Sequence, residues 1–118
     1  MEYDKFNTIL KETLTRLEYL FEGKNKEYAN MQDVFANFKN ASEGLSFHNK
    51  PEMVAWEYMV KHLQSIKDIA NSDTTPDKFL VNEKINDAIM YLILMKGMLH
   101  ERINEKQLWE TKLVYNVS

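Results

Sequence analysis

Apolar residues recur at Phe6, Ile9, Leu10, Leu14, Leu17, Leu20 and Phe21, the i, i+3, i+4, i+7 spacing of one face of an amphipathic helix. Carried on at the same period, the stripe passes through Lys24, Tyr28, Met31, Phe35 and Phe38, so polar-tipped residues interrupt it. Gly23 and Asn25 weaken a helix, and a break or kink is expected between Gly23 and Asn30. Met31 to Ala41 predicts a shorter second helix and Ser42 to Lys50 a loop. Pro51 suits the first turn of a third helix, predicted from Pro51 to Asn71. Its period places Ala55, Trp56, Met59, Val60, Leu63, Ile66 and Ala70 on a core face, with Glu57, Tyr58, Lys61, His62, Ser65 and Asp68 opposite.

After the turn-rich Asn71-Ser-Asp-Thr-Thr-Pro76, Asn82 can cap a fourth helix reaching roughly Glu105, with Glu83 favouring the helix dipole at its start. One side of that helix carries Ile85, Ala88, Ile89, Leu92, Met95 and Leu99, the other Glu83, Asp87, Tyr91, Leu94 and Met98. A helix apolar nearly all round through residues 88–99 is buried on two sides, by its own chain or by a partner. It reads as the central helix. The tail, 107–118, is apolar enough to dock and too short to form a core. The expected fold is all-α: a compact bundle of three long helices and one short one over residues 1–106, associating as a homo-oligomer through the central helix and the tail.

Composition narrows the function. A chain of 118 residues has room for one domain, and three Gly with two Pro are too few turn-formers for a β-sandwich. Without cysteine there is no disulfide framework and no thiol nucleophile, in agreement with a reducing compartment. The first residues lack the basic flank and apolar run of a signal peptide, and no 18-residue apolar stretch occurs, so the expected location is cytoplasmic, with no membrane as partner. A formal net charge of −3, with acids and bases interspersed, does not suit an extended nucleic acid. A small phosphorylated ligand fits better.

Three sets of residues can carry chemistry. Glu83 and Asp87 stand four apart on one helical face with Tyr91 a turn further on; two carboxylates so spaced can converge on Mg²⁺ or Mn²⁺ bridging to substrate phosphates, or simply serve the helix dipole and solvent. Lys61, Ser65 and Asp68 align on the third helix and would line one groove, with Lys61 on phosphate and His62 as donor or proton carrier, which makes His62 and Asp68 the candidate catalytic residues. The same residues also read as an ordinary solvated face. Lys24, Lys26 and Tyr28 form the third set, either a basic helix end or lysines near a triphosphate with Tyr28 or Phe35 against a base. Asn37 and Phe38 read equally as a helix end or a ligand edge. There is no Gly-rich phosphate loop, no H-E-x-x-H and no G-x-S-x-G.

Lys61-His-Leu-Gln-Ser-Ile-Lys-Asp68 and Glu83-Lys-Ile-Asn-Asp-Ala-Ile-Met-Tyr-Leu92, preceded by Asp33-Val-Phe-Ala-Asn-Phe-Lys39, resemble small phage proteins of the MazG-like, all-α nucleotide pyrophosphohydrolase type and the phage nucleotide-modification-associated domains. The resemblance spans about residues 9–99. It implies an oligomeric helical domain in a bacterial host cytoplasm that binds a nucleotide, with Mg²⁺ held by acids on two successive helices to activate water at the α/β phosphate linkage. Glu83 and Asp87 match the second acidic motif. The first, E-x-x-E on the preceding helix, is absent, and the corresponding face offers Glu57, Lys61 and Asp68. That departure favours nucleotide binding or a different reaction, so the leading expectation is a nucleotide-binding protein, with metal-dependent pyrophosphohydrolysis left open as its activity. In that reading Lys24, Lys26, Tyr28, Lys61, Ser65 and Tyr91 contact the nucleotide. The alternatives are a non-enzymatic interaction protein targeting a host factor, or a sponge for a signalling nucleotide.

Overall fold

The computed structural model of the chain describes residues 1–28, 33–44 and 49–103, and side chains only up to residue 23 in the first stretch. Pro51 opens a helix where its missing N–H is not needed, and this helix runs Pro51–Asn71 as expected. The helix after it starts earlier than the sequence suggests. Asp77, not Asn82, is its N-cap, its carboxylate accepting from the N–H groups of Phe79 at 2.8 Å and Leu80 at 3.4 Å. Pro76 holds the residue before it extended, so Asp77 is the first position from which a helix can start cleanly. Glu83 thus lies in the second turn, and the helix ends at Arg102 rather than Glu105.

The short helix also starts late, at Ala36 rather than Met31. Asp33 accepts the Phe35 N–H on its carboxylate at 2.9 Å and the Ala36 N–H on its carbonyl at 3.2 Å, closing a turn that precedes the helix. Gly23 does not end the first helix, since its cost of about 1 kcal/mol is too little to stop a long helix; the helix ends at Tyr28, inside the expected Gly23–Asn30 window. The order is therefore α1 (Tyr3–Tyr28), α2 (Ala36–Gly44), α3 (Pro51–Asn71) and α4 (Lys78–Arg102), with no strand among the described residues. None of these helices is long and apolar enough to cross a membrane. The tail expected to dock on a neighbour, 107–118, lies outside the described residues.

Packing is dominated by α3 against α4; α2 lies on α3, and α1 touches α4 more sparingly. Arg102 at the end of α4 donates to the buried carboxylate of Glu52 in the first turn of α3, which fixes the pair antiparallel. Lys39 of α2 bonds both Asp33 and, at 3.1 Å, Glu101 of α4. The core centres on Phe35, Ala55 and Met98, with Phe38, Tyr91, Leu94 and Met95 packed around them.

The core face expected of α3 holds only in part, at Ala55 and Met59, and α4, expected to be buried on two sides, is buried mainly on one. The side of α3 that is buried carries Glu52, Ala55 and Met59, whereas Trp56, Val60 and Leu63 are about 40% exposed. On α4 the Tyr91, Leu94 and Met98 side faces inward, and Ile85, Leu92 and Leu99 face outward. On α4, Gly97 supplies the reason. A Cβ at Gly97 would stand 2.7 Å from the tip of the Phe35 ring, so the missing side chain is a notch that admits Phe35 on that side of α4 only. In α1, Leu17 is buried while Phe6, Ile9, Leu10 and Leu14 are exposed.

Gly97→Ala therefore destabilises the chain by about 1–3 kcal/mol, overpacking outweighing the gain in helix propensity. Gly23, with nothing within 4 Å of its would-be Cβ, behaves oppositely, and Gly23→Ala stabilises by up to about 1 kcal/mol. Urea denaturation of the two variants checks the pair.

Candidate functional site

Where α2 crosses the α3–α4 pair, the four helices leave a groove of about 420 Å³. Its walls are Asn37 and Phe38 of α2 and Tyr58 of α3 on one side, and Asp87, Met90, Tyr91 and Leu94 of α4 on the other, with Leu20 of α1 closing one end. Phe38, Tyr58 and Tyr91 form a run of rings, with centroids 6.2 Å apart between the first two and 6.4 Å between the last two, edge to face. These separations are those of interacting aromatic pairs, so the rings hold one another in place.

Polar groups enter this apolar setting singly. Asp87 brings a carboxylate and Asn37 an amide, and no lysine or arginine lines the groove among the described residues. His62 lies just behind the wall: its ring centroid is 5.6 Å from that of Tyr91, and its Nδ1 is 3.8 Å from an Asp87 carboxylate oxygen. That nitrogen is buried and has no hydrogen-bond partner among the described residues. At 3.8 Å the pair is within Coulombic reach and just beyond hydrogen-bond length. Burial first, then the Asp87 carboxylate and then Tyr58 push the Tyr91 phenol above its ordinary value, which keeps it a neutral hydroxyl that both donates and accepts.

The structure gathers some of the sequence candidates and scatters the rest. Asp87, Tyr91, Asn37 and Phe38 meet at the groove, with His62 beside it. His62 and Asp68 do not form a pair: Asp68 is exposed and accepts from Gln64 at 2.9 Å. Ser65 donates to the carbonyl of Lys61 at 3.2 Å, within its own helix. Lys61 is exposed, as is Glu83, one turn before Asp87. No group of three or more His, Asp or Glu side chains that could hold a metal ion occurs among the described residues. Phe35 is a core residue and not a ligand wall. Lys24, Lys26 and Tyr28 fall within α1, and their side chains lie outside the described residues.

Tyr58 was hidden in the pattern. By period it belongs to a polar face, and only the turn of α3 toward α2 makes it a groove wall. The Glu52–Arg102 pair, fifty residues apart, likewise leaves no local signature. Comparison with protein-family models, with curated proteins and with solved structures finds no match.

A phenol whose folded-state value is raised contributes stability that is intact below the unfolded value and is lost as pH rises through the folded one. For Tyr91 that window opens above pH 10.0. Tyr91→Phe therefore flattens the alkaline loss of stability above that pH, measured by denaturant titration at several pH values; an unchanged alkaline limb would separate Tyr91 from it.

Proposed function

We propose that the chain is a nucleotide-binding protein that holds the base of its ligand in the groove and leaves the phosphates outside it. The observation that carries this reading is the lining itself: three aromatic rings beside one carboxylate and one amide, with no cation among the described lining residues. Flat rings stack on such walls, with each base contributing about 1–3 kcal/mol. A carboxylate and an amide address the amino and imino edges of a base. A triphosphate inside the groove would instead meet Asp87, with no lysine or arginine among the described wall residues to offset the repulsion. Lys61, three residues after Tyr58 on α3, is exposed and is the candidate for phosphates that leave the groove.

The reading agrees with the MazG-like resemblance in ligand class and departs from it in chemistry. Pyrophosphohydrolysis would require Glu83 and Asp87 to carry Mg²⁺ with little help, since no third acid or histidine joins them into a metal-binding group among the described residues. Binding without turnover is the simpler function for this site.

Calorimetric titration of the full chain with nucleosides, nucleoside triphosphates and inorganic tripolyphosphate tests the proposal. Nucleosides and their triphosphates bind, tripolyphosphate does not, and Tyr91→Ala weakens binding by about tenfold to a hundredfold. Tripolyphosphate binding as tightly as a nucleotide would contradict the base-first reading, and Mg²⁺-dependent release of pyrophosphate would restore the enzyme.

A further inference from the structure

A helix that is apolar all round has to be covered on two sides, and α4 is such a helix through residues 88–99. Within the described chain it is covered on one. Asp87, Met90 and Leu94 face the groove, beneath α1 and α2. Ile85, Leu92 and Leu99, spaced by sevens, lie on the opposite side and are 39–52% exposed. On α3 the position is the same: Val54 and Tyr58 lie toward the α2 side, and Trp56, Val60 and Leu63 lie opposite, 39–42% exposed. Because α3 and α4 pack side by side, the two stripes share one face of the molecule.

We propose that this two-helix face is the interface of a homodimer, packed on the same face of a second copy. Its dimensions fit. α3 is 21 residues long, so a strip two helices wide is about 30 Å by 20 Å and offers on the order of 700 Å² once side-chain relief is counted. A stable interface takes about 800 Å² from each partner. A pair of antiparallel helices is also a natural complement to another such pair: side by side they form a four-helix core, and the contact is isologous, each copy using the same patch. Every one of the six residues is half-covered by its neighbours already, which leaves little side-chain freedom to lose on docking. The exposed stripe of α1, by contrast, is a ridge one helix wide, and it serves as the control.

Sedimentation equilibrium of the full chain decides the matter. The expected mass is twice 14.0 kDa at micromolar concentration. Leu92→Glu and Val60→Glu, both on the open face, give 14.0 kDa with helical circular dichroism retained, whereas Leu10→Glu on α1 leaves the dimer intact. The milder Leu92→Ala, which introduces no charge, raises the dissociation constant about tenfold. A wild-type mass of 14.0 kDa at about a hundredfold higher concentration overturns the proposal. So does a dimer that survives Leu92→Glu, or one that Leu10→Glu dissociates in its place.

Discussion

The fold depends on the antiparallel contact of α3 with α4. It is the most extensive helix packing among the described residues, and the rest is arranged on it. The buried Glu52 carboxylate fixes its register, because a buried charge without its partner costs several kcal/mol and Arg102 is the group that answers it. The notch at Gly97 then selects one side of α4 for Phe35. Once Phe35 is seated, α2 can lie only on that side, and Phe38 arrives opposite Tyr58. The groove follows from a core contact, not from a loop.

This origin explains the character of the site. Its walls are core-type residues that stop short of closing, so the cavity is apolar and bordered by rings that brace one another. The polar groups it contains are few and unevenly satisfied. Asp87 serves the groove and stands 3.8 Å from His62, whose buried Nδ1 lacks a hydrogen bond among the described residues. An unsatisfied buried nitrogen costs about 1–3 kcal/mol. The same carboxylate helps to hold the Tyr91 phenol above its ordinary value, so a ligand edge that bonds Asp87 would also reach Tyr91.

Much of the architecture was legible in the chain. The 3.6-residue period located the long helices, and Pro51 marked the start of α3 to the residue. Helix starts that depend on a single carboxylate were not: Asp77 displaced Asn82 and Asp33 delayed α2, because both bond backbone N–H groups that a period does not reveal. The side of α4 that turns inward was also invisible: it carries apolar residues on two sides, and the choice between them rests on one missing side chain, Gly97, against a ring sixty-two positions away in sequence. At the site, Asp87 and Tyr91 were readable from spacing on one helix. Their meeting with Tyr58, Phe38 and His62 was not, since it joins three helices.

Amide hydrogen exchange across the full chain bears most directly on the primacy of the α3–α4 pair. The slowest amides should fall at residues 54–59 and 88–98, around the buried Val54, Ala55, Met59, Ala88 and Met98, with the first half of α1 exchanging faster than either. Protection in the first half of α1 equal to that of α3 and α4 would contradict the account.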